Sequence, residues 1–135
     1  MCVFTHFAAG ALLGAYAPYA WLAPVFGLGS HVALDVLPHY DFEDIRVEIL
    51  LWLLCMGLLL LGGVYSFAVI AGGLAGVLPD LENLLWKTGV IGEDKKIFPG
   101  HTGIIPHGPK AGKFNLALQF VLSAAVLGFL VWRGA

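Results

Sequence analysis

Three residues that can bind a metal ion lie one helical turn apart in an otherwise apolar segment. His31, Asp35 and His39 are spaced i, i+4 and i+8. On a helix this spacing places all three side chains on one face, where imidazole and carboxylate groups can reach a common ion. Ionisable groups inside an apolar helix are costly unless they pair, bind metal or line a wet cavity. The spacing therefore predicts a metal site. The alternative is a His31–Asp35 pair that only satisfies buried polarity, with His39 directed elsewhere because it follows Pro38.

Further ligand candidates come from other parts of the chain. His6 opens the first apolar run after Thr5, and Asp80 follows Pro79 at the end of the fourth run. Asp80 is either the N-cap of a following turn or a metal carboxylate, since Pro-Asp before an apolar stretch is also a helix-start signal. Glu82 is a ligand, a general base or a solvated side chain.

The remaining candidates lie in a polar segment rich in glycine and proline. His101 and His107 are either exposed and inert or part of the site, and His107 is a candidate proton carrier. Lys110 and Lys113 are candidates for binding a phosphate or an anionic headgroup, although basic residues beside a membrane also serve as plain anchors. Long loops of this kind are more often functional than passive.

The elements that must position these residues are predicted to lie in a membrane. The chain has 135 residues, of which 59% are hydrophobic and only 12% charged, against about 25% charged in a typical soluble domain. We therefore expect one all-α integral membrane domain over residues 1–135. Cys2 and Cys55 lie far apart in apolar contexts and are predicted to be buried packing residues. The net charge of −2 does not favour a nucleic-acid partner.

Proline, glycine and charge divide the apolar sequence into about five helical passes with one long polar loop at 86–113. Several passes are shorter than the roughly 20 residues that cross a bilayer upright, and the first two are short enough to form a re-entrant hairpin instead. The fourth pass is predicted to end at Pro79 because proline breaks helices. The predicted passes cover residues 4–17, 20–37, 46–62, 64–78 and 114–132.

Threading the chain through five passes places the polar residues on one side. All nine acidic residues fall on the side of the N-terminus and the long loop, and of the seven basic residues only Arg133 falls on the other side. The positive-inside rule then makes the N-terminus and the long loop cytoplasmic, in the cell (inner) membrane.

At these residues the chain resembles the integral-membrane metal-dependent hydrolase family, typified by the inner-membrane hydrolase of the bacterial DNA-damage regulon. It is also distantly similar to zinc-dependent phospholipase C in its short motifs. The resemblance rests on Thr5-His6, on the helix from Gly27 to Asp35 with its GxxSHxxLD pattern, and on the LPD at 78–80. The family's HRGxTHS element is matched in part by the HTG at 101–103 and by His107.

Two features depart from the family's pattern. The LPDxDH segment of typical members precedes the SHxxLD helix, whereas here the LPD segment follows it. In addition, Glu82 stands for the second aspartate and Asn83 for the histidine after it. The resemblance implies metal-dependent hydrolysis.

The sequence thus predicts a hydrolase that acts on a membrane lipid or another amphipathic phosphoester or ester. One or two divalent ions are expected, zinc first, with manganese or iron where the ligand set is richer in oxygen. A homo-oligomer is compatible with this prediction. The alternatives are a transporter or channel for metal ions or protons, and a binding protein without catalysis. The predicted metal ligands are His6, His31, Asp35, His39, Asp80 and His101, the predicted catalytic residues are Glu82 and His107, and the predicted substrate-binding residues are Lys110 and Lys113.

Overall fold

Five α-helices, connected by loops and two short 3-10 turns, form the fold. The structure is a computed structural model, and it describes residues 1–134. The predicted all-α class is confirmed: pairing of β type within the described residues is limited to an isolated bridge between His39 and Lys110. The helices are α1 (Val3–Ala15), α2 (Ala23–Asp35), α3 (Ile45–Leu61), α4 (Phe67–Lys87) and α5 (Lys113–Arg133).

The second predicted pass is shorter in the structure than expected. A 3-10 turn at Ala20–Leu22 precedes α2, and α2 itself ends at Asp35. His39 therefore follows the helix, as the predicted end of this pass before Pro38 implied, and it does not continue the helical face of His31 and Asp35. Pro38 is the physical reason, because the residue before a proline is driven away from helical geometry.

The predicted end of the fourth pass at Pro79 is also wrong. Pro79 is buried inside α4, and the helix continues for two further turns to Lys87. Prolines are tolerated inside membrane-type helices when neighbouring groups satisfy the disturbed backbone. Pro79 has no N–H for the carbonyl of Ala75 four residues earlier, and the adjacent carbonyl, Gly76 O, accepts from His31 Nδ1 over 2.7 Å. Asp80 consequently lies within a helix, so its alternative reading as an N-cap is excluded.

Two helices are long and apolar enough to cross a membrane. These are α4 and α5, each of 21 residues, with mean hydropathies of 1.3 and 2.1 over their most apolar windows. The helices α1 and α2 have 13 residues each and α3 has 17, which is below the roughly 20 residues that an upright crossing needs.

Glycines bring α1, α2 and α4 into backbone contact. A Cβ atom added at Gly10 or at Gly27 would overlap the carbonyl oxygen of Gly72. Small residues that permit such close approach are typical of helix interfaces in membranes. The candidate ligands His6, His31 and Asp80 each lie four residues, about one turn, from a glycine of this contact. Those glycines are Gly10, Gly27 and Gly76.

The helices α1, α3 and α5 begin at the end of the bundle where α2 and α4 finish, which we call the site end. Polar contacts attach α5 to α1 there: Gln119 Oε1 accepts hydrogen bonds from Cys2 N at 3.1 Å and from Thr5 Oγ1 at 3.3 Å. The buried carboxylate of Glu48 attaches α3, because it accepts from Val3 N over 2.8 Å. These contacts hold the start of α1, which carries His6.

Candidate metal centre

Asp35, the last residue of α2, is the centre of the candidate site. Its side chain is buried at the site end, where Oδ1 lies 3.0 Å from His6 Nε2 and Oδ2 lies 3.0 Å from His31 Nε2. The two imidazole rings stack with their centroids 3.8 Å apart, and neither side chain is exposed. The i, i+4 pair predicted from the sequence is thus joined by a histidine from another helix.

Two histidines from the long loop approach the same carboxylate. His107 Nε2 lies 3.7 Å and His101 Nε2 lies 3.9 Å from Asp35 Oδ2. The backbone holds this part of the loop against the end of α2, since Gly108 N donates to Asp35 O over 2.6 Å. The side chain of His101 is almost buried, whereas that of His107 is 40% exposed.

Backbone carbonyls define the orientation of His31 and His39. His31 Nδ1 donates to Gly76 O, and His39 Nδ1 donates to Leu37 O, each over 2.7 Å. An imidazole that donates through Nδ1 keeps the lone pair on Nε2, and a donated N–H of this kind accompanies most histidines that ligate metals. His31 Nε2 is therefore available as a ligand, whereas His39 Nε2 faces the carboxylate of Asp41.

The loop histidines are oriented in the same manner. His107 Nδ1 lies 3.3 Å from Gly108 O, and His101 Nδ1 donates to Glu82 Oε2 at 3.3 Å. His101 Nε2 in addition accepts from Asn83 Nδ2 at 3.0 Å. A lone pair on Nε2 of His107 therefore faces Asp35 freely, whereas that of His101 is shared with the Asn83 amide.

Several buried polar atoms of the centre make no hydrogen bond to any residue within 1–134: both ring nitrogens of His6, Nε2 of His31, and Oδ2 of Asp80. The two Nε2 atoms lie within 3.0 Å of a carboxylate oxygen, but not in hydrogen-bonding geometry. For His31, whose Nδ1 carries the proton, the Nε2 lone pair is repelled by the carboxylate unless a cation lies between them. Ligand atoms of a tetrahedral zinc ion with bonds of 2.0–2.2 Å are separated by about 3.3–3.6 Å. The donor types and spacings therefore fit a divalent ion.

The residues form three overlapping groups that could each hold a metal ion. In each group, ligand atoms from all members lie within 4.8 Å of one another. His31 belongs to the first two groups and Asp35 to the last two. The groups are His6, His31 and Asp80; His31, Asp35 and His101; and Asp35, His39 and His107.

His39 reaches this centre from the loop after α2. Its ring is buried, and its Nε2 lies 3.2 Å from Asp41 Oδ2. Burial alone would raise the pKa of Asp41, but the contact with His39 and the nearby amino group of Met1 hold the pKa well below its usual range. His39 therefore remains near the site although it has left the helical face.

Glu82 lies behind His101 and does not reach the group of ligands around Asp35. Its carboxylate accepts from the backbone N–H groups of Ile97 and Phe98 and from His101 Nδ1. Burial lowers the pKa of His101, and the interaction with Glu82 only partly opposes this effect. A lowered pKa keeps the imidazole neutral, which is the form that binds metal. The contacts of Glu82 are those of a positioning residue.

A cleft of about 670 Å³ leads from the surface to the centre. Asp35, Asp80, His101 and His107 lie along its wall together with Lys110. Two lysines that the sequence analysis did not select, Lys87 and Lys96, also line the cleft, whereas Lys113 lies outside it as the exposed first residue of α5.

Some polar residues of the site end were not selected from the sequence. In α5, Asn115, Gln119 and Ser123 repeat the i, i+4, i+8 spacing of the 31–39 segment, and this pattern could have revealed a polar face. Gln119 and Ser123 are buried against α1. Glu48 carried a signal as well, because it is an acidic residue within an apolar run.

No family model matches this chain, and neither a curated protein nor a solved structure matches it. The functional proposal therefore rests on the geometry of the site.

Proposed function

We propose that this protein is a metal-dependent hydrolase embedded in the membrane, which cleaves a phosphoester bond of an amphipathic substrate. The observation that supports the proposal is the convergence on Asp35 of the Nε2 atoms of His6 and His31, which make no hydrogen bond, next to a cleft with three lysines. The resemblance of the sequence motifs to those of membrane metal-dependent hydrolases agrees with this activity. The site end would face the cytoplasm of a multi-pass protein, as the distribution of lysines favours.

His6, His31, Asp35 and Asp80 are the main metal ligands in this proposal. His101 would complete the set if the Asn83 amide turned away from its Nε2. Zinc suits these nitrogen and oxygen donors, with manganese or iron as alternatives, as one ion or two. A divalent ion held by these residues would lower the pKa of a water molecule and stabilise charge on the phosphoryl oxygen.

The chain's own residues carry out the remaining steps. Lys87, Lys96 and Lys110 attract the anionic group into the cleft. His107 is the proton carrier, because its Nε2 faces Asp35 while its ring remains partly exposed to the cleft. It accepts a proton at Nε2 from the attacking water and returns it to the leaving oxygen.

The first test measures bound metal. The protein purified in detergent is loaded with zinc, dialysed and analysed by inductively coupled plasma mass spectrometry. We expect the His31→Ala/Asp35→Ala double variant to lose the bound zinc. The matched control Glu93→Ala/Asp94→Ala changes two exposed residues of the long loop and should retain it. Unchanged zinc content in the first variant would contradict the proposal.

The second test measures catalysis with ethyl p-nitrophenyl phosphate, a soluble phosphodiester. Release of p-nitrophenol should depend on added zinc and should be lost in the double variant. Zinc flux into liposomes in the absence of hydrolysis would instead favour a transporter and would overturn the proposed activity.

A further inference from the structure

An apolar groove runs between α3 and α5 on the flank of the bundle. It has a volume of about 420 Å³ and begins near Phe4 at the site end. Leu51 and Leu58 lie along its α3 wall, and Ala124 and Gly128 along its α5 wall.

The groove exists because both helices pack mainly on α1 and only weakly on each other. Small residues on α5 keep it open. A Cβ atom at Gly128 would have no neighbour within 4 Å in the described part of the chain, so a large side chain at this position would fill the groove.

The groove adjoins the cleft of the candidate metal centre. Val3 lines the cleft and the next residue, Phe4, lines the groove. On α3, Glu48 lines the cleft, and Leu51, three residues further, lines the groove. The apolar groove thus begins within one helical turn of the polar cleft on both α1 and α3.

The groove is long enough for a hydrocarbon chain. Its α5 wall extends from Phe120 to Val131, which at 1.5 Å per residue corresponds to about 16 Å. Val131 lies two residues before Arg133, where α5 ends. A hydrocarbon chain that entered near the cleft would therefore follow the groove towards the opposite end of the bundle.

We propose that this groove holds one acyl chain of a lipid substrate whose phosphoester lies in the cleft. The inference rests on the proposed function and names its substrate class: a phospholipid that stays in the membrane while its headgroup is cleaved. A polar cleft with three lysines that adjoins an apolar groove is the feature that fits a lipid. A second copy of the chain would require neither property.

The test compares substrates of different chain length. Ethyl, octyl and hexadecyl p-nitrophenyl phosphate are offered to the zinc-loaded protein in mixed micelles, and kcat/KM should rise with chain length. The variant Gly128→Phe should lower kcat/KM for the hexadecyl ester at least about tenfold, which equals the loss of roughly two buried methylene groups. It should leave the ethyl ester unaffected.

Gly57→Phe is the matched control, since Gly57 of α3 also has open space around it but does not line the groove. It should leave all three esters unchanged. Equal effects of the two variants, or loss of ethyl ester hydrolysis in Gly128→Phe, would overturn the inference while leaving the hydrolase intact.

A second measurement does not depend on hydrolysis. A phosphatidylcholine with a diazirine on its acyl chain is photolysed in nanodiscs with the protein, and the labelled residues are mapped by mass spectrometry. Labels should concentrate between Leu51 and Leu58 and between Phe120 and Val131, and Gly128→Phe but not Gly57→Phe should remove them. Labels unaffected by Gly128→Phe, or cross-links between two copies along this face, would contradict an acyl chain as the occupant.

Discussion

The candidate ligands form two classes that differ in how the chain positions them. The helix-borne ligands His6, His31, Asp35 and Asp80 belong to three helices that touch through glycine backbones. The loop-borne ligands His39, His101 and His107 are held by hydrogen bonds to carbonyl groups and to Glu82. The first class depends on packing, and the second depends on a few polar contacts.

This difference indicates a division of roles. His6, His31 and Asp35 are buried, and several polar atoms of the helix-borne class lack hydrogen bonds within residues 1–134, so these side chains could serve as ligands. The loop-borne ligands lie nearer the cleft, and His107 is partly exposed. Rigid elements give precise sites, whereas loops supply the parts that must admit a substrate.

The largest expected effect comes from disrupting the helix contact itself. In Gly72→Leu, the new side chain would overlap the backbone of Gly10, which cannot move as the end of a flexible side chain can. Overpacking costs about 1–3 kcal/mol and more where the surroundings are backbone. We expect loss of the monodisperse folded protein in fluorescence-detected size exclusion. Gly57→Leu is the control and should stay folded, because its side chain would point into open space. A folded Gly72→Leu protein that binds zinc normally would show that the glycine contact does not position the ligands.

The two aspartates near the histidines test the two classes directly. Asp35→Asn should weaken zinc binding by more than about 100-fold, because it removes the carboxylate shared by two of the metal-binding groups. Asp41→Asn, at a carboxylate next to the loop-borne His39, should weaken it by less than about tenfold. Titration against a competing chelator measures the zinc affinity of both variants. Equal losses of affinity would remove the distinction between helix-borne and loop-borne ligands.

Glu82→Gln examines the loop-borne class alone. A glutamine oxygen carries no charge for His101 Nδ1, and it accepts less strongly from the backbone N–H of Phe98. Removing such an outer partner costs about 10–100-fold in metal affinity or activity, and we expect the lower end of that range. Limited proteolysis should also cleave the loop near 97–108 faster. Glu93→Gln changes an exposed residue of the same loop and should alter neither the metal affinity nor the rate of proteolysis. An unchanged rate of proteolysis in Glu82→Gln would rule out the positioning role of Glu82.

The proximity of His31 and Asp35 is easier to predict from the sequence than that of the loop histidines, for a physical reason. His31 and Asp35 follow from helical periodicity, which is a local property, and their proximity is found in the structure. The positions of His101 and His107 depend on where a long loop returns. α4 passes through Pro79 at a point where the proline is buried among other helices. Tertiary packing of this kind is not encoded in local propensity, which is why the sequence misplaces the end of this helix.

The glycine contact illustrates the same limit. Small residues in α1 and α4 are visible in the sequence itself, as a pattern typical of membrane helices. Which of them meet is not visible, and the structure shows that Gly10 and Gly27 both contact the backbone of Gly72. Periodicity within a helix predicts which residues share a face, but only the packing of two helices decides which of those faces meet.

The smallest effect is expected at the rim of the cleft, where the lysines are exposed. Lys110 lines the cleft and Lys113 does not, although the sequence predicted the same role for both. Lys110→Ala should raise KM for an anionic phosphodiester about two- to fivefold, since an exposed charge interaction contributes up to about 1 kcal/mol. The effect should fade in high salt, because exposed charges are screened. Lys113→Ala should change KM at neither salt concentration. If both variants raise KM equally and in a salt-sensitive way, a general basic surface attracts the substrate. If only Lys110→Ala raises KM, the anionic group lies inside the cleft beside the loop-borne ligands.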